Sequence, residues 1–125
     1  MMNIIKINFE DINFIKEAKK ERVTFSNPKN SYWFGIFDKD KLISVYCLVI
    51  NKNKARFKSN YTLKEYRKKG CLNLFINHAK YICRNNNINE ITAFCTPLSV
   101  GSHLKNGAIL ISKKNDISFI KYKIN

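Results

Sequence analysis

The chain changes hydrophobic period abruptly around one glycine. From Lys54 to Thr62 the residues alternate, with Lys54, Arg56, Lys58 and Asn60 on one face of a strand and Ala55, Phe57, Ser59 and Tyr61 on the other. From Cys71 to Arg84 apolar residues recur at helical spacing, and Leu72, Phe75, Ile76, Ala79 and Ile82 form one stripe. Between the two stands Tyr66-Arg67-Lys68-Lys69-Gly70. A strand that turns through glycine into an amphipathic helix requires a sheet with that helix packed on it. The turn also places three cations at a helix N-terminus. There the first N–H groups have no intrahelical partner, and the dipole concentrates about +0.5 charge. That combination suits a phosphate-bearing ligand.

The flanking segments supply the rest of the sheet. Residues 3–8 read as an edge strand, and Asp11 is placed to cap a helix from Ile12 to about Arg22 with Ile12, Ile15 and Ala18 on one face. Tyr32–Phe37 and Lys41–Ile50 are apolar runs joined by Asp38-Lys39-Asp40, a hairpin. After the helix, Asn85-Asn86-Asn87 is a stop and Ile88–Cys95 a strand. Thr96-Pro97 opens a short helix to about Lys105, which Asn106-Gly107 closes. Ile109–Ser112 and Ile117–Ile124 form a last hairpin. The order β-α-β-β-β-α-β-α-β-β predicts an α/β (α+β) fold, a mixed sheet flanked by helices, as one domain over residues 1–125.

Charge narrows the partners. Twenty-three Lys and Arg against nine Asp and Glu give +14. Residues 52–69 hold eight of those cations and only Glu65, which is +7 in 18 residues. A shortage of acid on this scale points to a polyanionic partner. No apolar run approaches the ~18 residues of a membrane helix. With no signal-peptide core at the N-terminus, a cytoplasmic location is expected. Cysteines 47, 71, 83 and 95 form no C-x-x-C pair and only His78 and His103 accompany them, so no metal is expected and the thiols read as free and buried. Cys71, beside Lys69 at a helix start, is expected to have a lowered pKa.

Element order and turn together resemble the GNAT superfamily of acyl-CoA N-acyltransferases over nearly the whole chain. In that family the turn reads Gln/Arg-x-x-Gly-x-Gly/Ala. Here Arg67-Lys68-Lys69-Gly70-Cys71-Leu72 matches the first two fixed positions, and Glu65-Tyr66-Arg67 resembles the approach to them. Leu72 departs from the small third residue, and a leucine there is expected to crowd the helix start. The resemblance implies acetyl-CoA, or another acyl-CoA, as donor. By the same resemblance Arg67, Lys68, Lys69, Gly70, Cys71 and Leu72 hold its pyrophosphate, while Thr62 and Leu63 lie along it and a backbone N–H near Thr62 polarises the thioester carbonyl.

His103-Leu104-Lys105-Asn106-Gly107-Ala108 resembles the family's Tyr-x-x-x-Gly-Phe, which implies His103 as the general acid for the departing thiolate. No carboxylate lies on the central strand. Ser59, Asn60 and Tyr61 are the groups that could position a water for deprotonation, with Glu90 at the start of the next strand. For the acceptor, Lys54, Arg56 and Lys58 suggest DNA or RNA, and an acidic protein is the other candidate. Three alternatives stay open: a DNA base-modifying enzyme of the phage Mom type, a mobile-element enzyme acting on an acidic host protein, and a non-catalytic GNAT-like nucleic-acid-binding protein.

Overall fold

The computed structural model describes residues 2–124. Along them run β1 (Ile4–Ile7), α1 (Ile15–Lys20), β2 (Ser31–Asp38), β3 (Lys41–Asn51), β4 (Lys54–Thr62), α2 (Cys71–Asn85), β5 (Glu90–Cys95), α3 (Pro97–Lys105), β6 (Ile109–Lys114) and β7 (Ile117–Lys123). This is the expected order. The strands form one sheet, β1-β2-β3-β4-β5-β7-β6, antiparallel except where β5 runs parallel to β4. The parallel pair follows from its connection, because α2 must cross over the sheet to bring β5 alongside β4.

Two apolar clusters sit on opposite faces. One joins Cys71, Phe75, Ile76, Ala79 and Cys83 of α2 to Tyr46, Phe57, Ile91 and Ile120 of the sheet. Phe75 is fully buried, which alone contributes about 2–3 kcal/mol of apolar burial. The other joins α1 through Ala18, with Ile12 and Phe14, to Trp33, Val45, Cys47 and Tyr61. All four cysteines are buried free thiols.

The first helix is shorter than its sequence pattern predicts. Phe9–Asp11 is a 3₁₀ turn, and Asp11 does not cap a helix from outside: its carboxylate accepts the Asn8 N–H at 2.9 Å, within that turn. Regular α-helix begins only at Ile15. Ile12 and Phe14 are both buried. Two residues apart on a helix they would point roughly 200° from each other. Breaking the helix between them lets both reach the same cluster.

The central strand departs from simple alternation. Opposite β3, Val45 pairs with Tyr61 but Cys47 with Lys58, so β4 carries one extra residue here. Ser59 absorbs it with φ +56°, a left-handed conformation costly for a residue with a Cβ. Its hydroxyl donates to the Thr24 carbonyl at 2.7 Å, and the Asn60 amide donates to the Val45 carbonyl at 3.2 Å. The bulge inverts side-chain parity. Ala55 and Phe57 face α2 as expected, whereas Tyr61 joins the α1 cluster.

Candidate functional site

The β4–β5 ladder lasts only for Lys54–Arg56 against Glu90–Thr92. Beyond it a cleft of ≈ 450 Å³ opens, walled by Asn60, Tyr61 and Thr62 on one side and Thr96, Leu98, Ser99 and Ser102 on the other. Its floor is the start of α2. Gly70, at φ +91°, is the N-cap of α2, and Lys68 two residues earlier is also left-handed at φ +63°. Alternating left-handed residues turn successive N–H groups toward one side, which makes a concavity for an anion ahead of the helix dipole. A Cβ built on Gly70 meets no atom within 4 Å. Backbone conformation, not crowding, therefore requires the glycine, and the space beside it is open. These features fit the pyrophosphate of an acyl-CoA.

The turn residues divide in their roles. Thr62, Lys68, Gly70, Cys71 and Leu72 line the cleft. Leu72 is partly buried against the α2 cluster while still facing the cleft, so it forms an apolar wall there. Leu63 packs into both apolar clusters, and Lys69 lies over the Tyr66 ring at 5.9 Å. Neither is among the lining residues. Cys71 also corrects its expectation: it is buried, and burial pushes its thiol up. Loss of water around the thiolate outweighs the helix terminus.

Arg67 reaches the cleft with its charge already matched. Two guanidinium nitrogens donate to Glu21 at 2.8 Å each, Nε donates to the Thr62 carbonyl at 2.8 Å, and the group lies 5.2 Å over the Tyr61 ring. The Tyr61 hydroxyl donates to the same Glu21 carboxylate at 2.6 Å. Glu21 is a residue that sequence reading missed, since it lies 46 positions from Arg67, at the C-cap of α1, and carries no motif. The latch ties α1 to the end of β4 and fixes the cleft wall. It also removes Arg67 from the list of unengaged phosphate ligands and makes Tyr61 a hydrogen-bonded wall residue.

Arg67 first, and Tyr61 next, hold the Glu21 carboxyl at about 2 against an ordinary 4.5. The folded chain thus binds this proton less readily than the unfolded one. The stabilisation is complete above pH ~4.5 and is lost as pH falls toward ~2. Glu21→Gln is expected to cost about 1–3 kcal/mol at pH 6 by leaving a part-buried guanidinium with a neutral partner. Urea unfolding at pH 6, 4 and 2.5 checks this: the gap between the two chains should narrow as pH falls.

His103 is not placed as the resemblance implies. It is 2 % exposed, packs edge-on against Phe57 at 5.3 Å, and shares a 2.8 Å hydrogen bond through Nδ1 with the Tyr122 hydroxyl. Burial pushes its pKa down to about 4. It is therefore neutral at physiological pH and turned into the core. The neighbouring α3 hydroxyls, Ser99 and Ser102, line the cleft instead. Ser59 faces away from it too, since it bonds Thr24 and lines a second cleft beyond β4. Glu90 sits at the closed end of the β4–β5 ladder, 3.5 Å from Lys121 and 4.0 Å from Lys54, remote from the opening.

The three strand cations are also unequal. Lys58 is half-buried, donates to the Ser26 carbonyl and hydroxyl at 2.7 and 3.1 Å, and lies 5.3 Å over the Trp33 ring. It clamps the α1–β2 loop instead of projecting to solvent, and burial lowers its pKa. Lys54 faces Glu90, and Arg56 is exposed beside the second cleft. Lys54, Arg56 and Lys58 keep the shared face predicted from alternation, since the bulge comes after Lys58, but the contacts of Lys58 to Ser26 and of Lys54 to Glu90 leave the three unequally available.

No protein-family model and no curated protein matches the sequence. Solved structures do match its shape. An acetyltransferase of the GNAT family from Staphylococcus aureus superposes with a TM-score of 0.77 at 15% identity, covering 100% of both chains. N-acetylglutamate synthase of Neisseria gonorrhoeae, complexed with coenzyme A and N-acetyl-glutamate, gives 0.81 at 10% identity over 100% of this chain and 35% of that one. The PaiA N-acetyltransferase of Thermoplasma acidophilum, in complex with coenzyme A, gives 0.69 at 22% identity over 75% of this chain and 61% of that one. The fold is that of the GNAT-superfamily acyl-CoA N-acyltransferases.

Proposed function

We propose that the chain is an acyl-CoA-dependent N-acyltransferase whose acceptor amine belongs to a nucleic acid or another polyanionic macromolecule. The observation that carries this is the left-handed pair Lys68 and Gly70 at the start of α2, opening into the cleft where β4 and β5 part. Similar folds are solved with coenzyme A, and the open space at Gly70 suits its pyrophosphate. In the transfer, the acceptor nitrogen attacks the thioester carbonyl carbon, the C–S bond breaks, and the nitrogen loses a proton while the thiolate gains one. By the resemblance, a backbone N–H near Thr62, at the end of β4, would be the donor to the developing oxyanion. Ser99 and Ser102 are the proton-bearing groups that α3 presents to the cleft. The excess of cations supports the polyanionic acceptor.

The test is release of free thiol from acetyl-CoA, read colorimetrically, with single-stranded RNA, single-stranded DNA, polylysine or spermidine as acceptor. Nucleic-acid-dependent release is expected. Saturable acetyl-CoA binding without release on any acceptor would favour the second reading, a binding protein that keeps the fold. Two observations favour that reading: His103 is buried, and Glu21, the one carboxylate among the described residues that line the cleft, is committed to Arg67 and Tyr61.

A further inference from the structure

The face of the sheet that α1 covers carries its apolar cluster only as far as β4. Over β5, β7 and β6 the same face lies open. Phe94 is 68% exposed, and its ring lies 4.8 Å from that of Phe119, its register partner on β7. An exposed phenylalanine packed against a second, half-buried one on the sheet itself forms a platform, not a scattered surface residue.

Beside the platform runs the second cleft, between β4 and β5 on this face. Arg22, Arg56 and Lys58 line it together with Phe94 and Ile117, and no Asp or Glu is among the described residues that line it. Lys114 stands opposite Ile117 in the β6–β7 ladder and therefore shares its face. Asp116, which precedes Ile117 in the chain, is bonded to the cleft-lining Arg22 at 3.0 Å. An aromatic face flanked by cations, with the Asp116 charge matched by Arg22, meets the needs of an unpaired base with its phosphates to either side. A duplex keeps its bases stacked on each other and has nothing to place on Phe94. An acidic peptide would use the cations and leave the rings in water.

We propose that the open β5–β7 face, with the cleft beside it, binds single-stranded nucleic acid, stacking an unpaired base on Phe94 and holding its backbone with Arg56 and Lys114. This narrows the acceptor of the acyl transfer proposed above and depends on that reading for its catalytic use, while the binding itself does not.

Fluorescence anisotropy in about 100 mM salt, without any acyl-CoA, decides it. The probes are a labelled 12-nucleotide single strand, the same sequence as a blunt duplex, and polyglutamate of equal charge. The single strand should bind at least ~10-fold more tightly than either competitor. Phe94→Ala should weaken it by roughly 10-fold and leave the duplex unchanged, since base stacking on an aromatic ring is worth about that much. Phe94→Trp should restore binding. Arg56→Ala should weaken both nucleic acids and flatten the single-strand salt dependence by about 0.7 log unit. Both side chains are exposed, so unchanged thermal unfolding serves as the folding control. Equal affinity for duplex or polyglutamate, or a Phe94→Ala chain that binds as before, would overturn the proposal. With no donor in the assay, failure here and failure of the thioester test are separate outcomes.

Discussion

Gly70→Asp is expected to abolish the thermal stabilisation that acetyl-CoA gives the native chain. Ligand at about 100 times its dissociation constant adds about 2.7 kcal/mol, which for a chain of this size moves the midpoint by about 10 °C. Gly70 holds φ +91° at the start of α2, and a side chain there strains the backbone by about 1–2 kcal/mol. The added Cβ meets no protein atom, so the aspartate carboxylate stands in the open space where a phosphate would approach. Charge repulsion at a helix N-terminus then removes the ligand's gain. Gly70→Ala separates the two effects: it carries the strain without the charge and should keep part of the shift. Differential scanning fluorimetry with acetyl-CoA, coenzyme A and no ligand reads all three chains. A full shift in Gly70→Asp would remove the Lys68–Gly70 turn from the donor site.

The second large effect is on stability, at His103. His103→Ala should lose about 3 kcal/mol, because it leaves a cavity and deprives the hydroxyl of the buried Tyr122 of its 2.8 Å ring partner, leaving it only the backbone carbonyl of residue 103. The acetyl-CoA shift should survive in the folded fraction. His103→Tyr puts the family's tyrosine into a filled core position and should destabilise by about 1–3 kcal/mol instead of raising activity. The pH dependence distinguishes this role from a catalytic one. Burial holds the folded pKa at about 4, below the ordinary 6.5. The neutral ring therefore stabilises fully above pH ~6.5, and that contribution is lost as pH falls toward ~4. Between pH 7.5 and 5 the native chain should lose up to about 2 kcal/mol through this group, and His103→Ala should not. His78, also lowered by burial, is common to both chains and cancels in the difference. An alanine variant of unchanged stability but lost turnover would return His103 to the chemistry.

Much of the fold was legible because period is a local property. The switch from alternation in 54–62 to helical spacing in 71–84 marks β4 and α2 almost to the residue, and Gly70 marks the left-handed start between them. The hairpin turn at Asp38-Lys39-Asp40 and the Asn106-Gly107 stop were equally local. The first helix was not, because what ends it is the need to bury Ile12 and Phe14 together, a demand set by the sheet beneath.

The site divides along the same line. The sequence by itself determined the order of elements, the left-handed glycine turn into the α2 terminus, and the net charge of +14. Each depends on residues adjacent in the chain or on a sum over it. Only the tertiary structure decided which charges are available. Arg67 meets Glu21 from 46 residues away, Lys58 meets Ser26 from 32, and His103 meets Tyr122 from 19. Partners at such separations leave no periodic trace, yet at hydrogen-bond distance they decide which charges are engaged. The bulge at Ser59 has the same origin. One added residue on β4 turns Tyr61 to the other face, and the register of β3 opposite it, not the pattern of β4, sets where that happens.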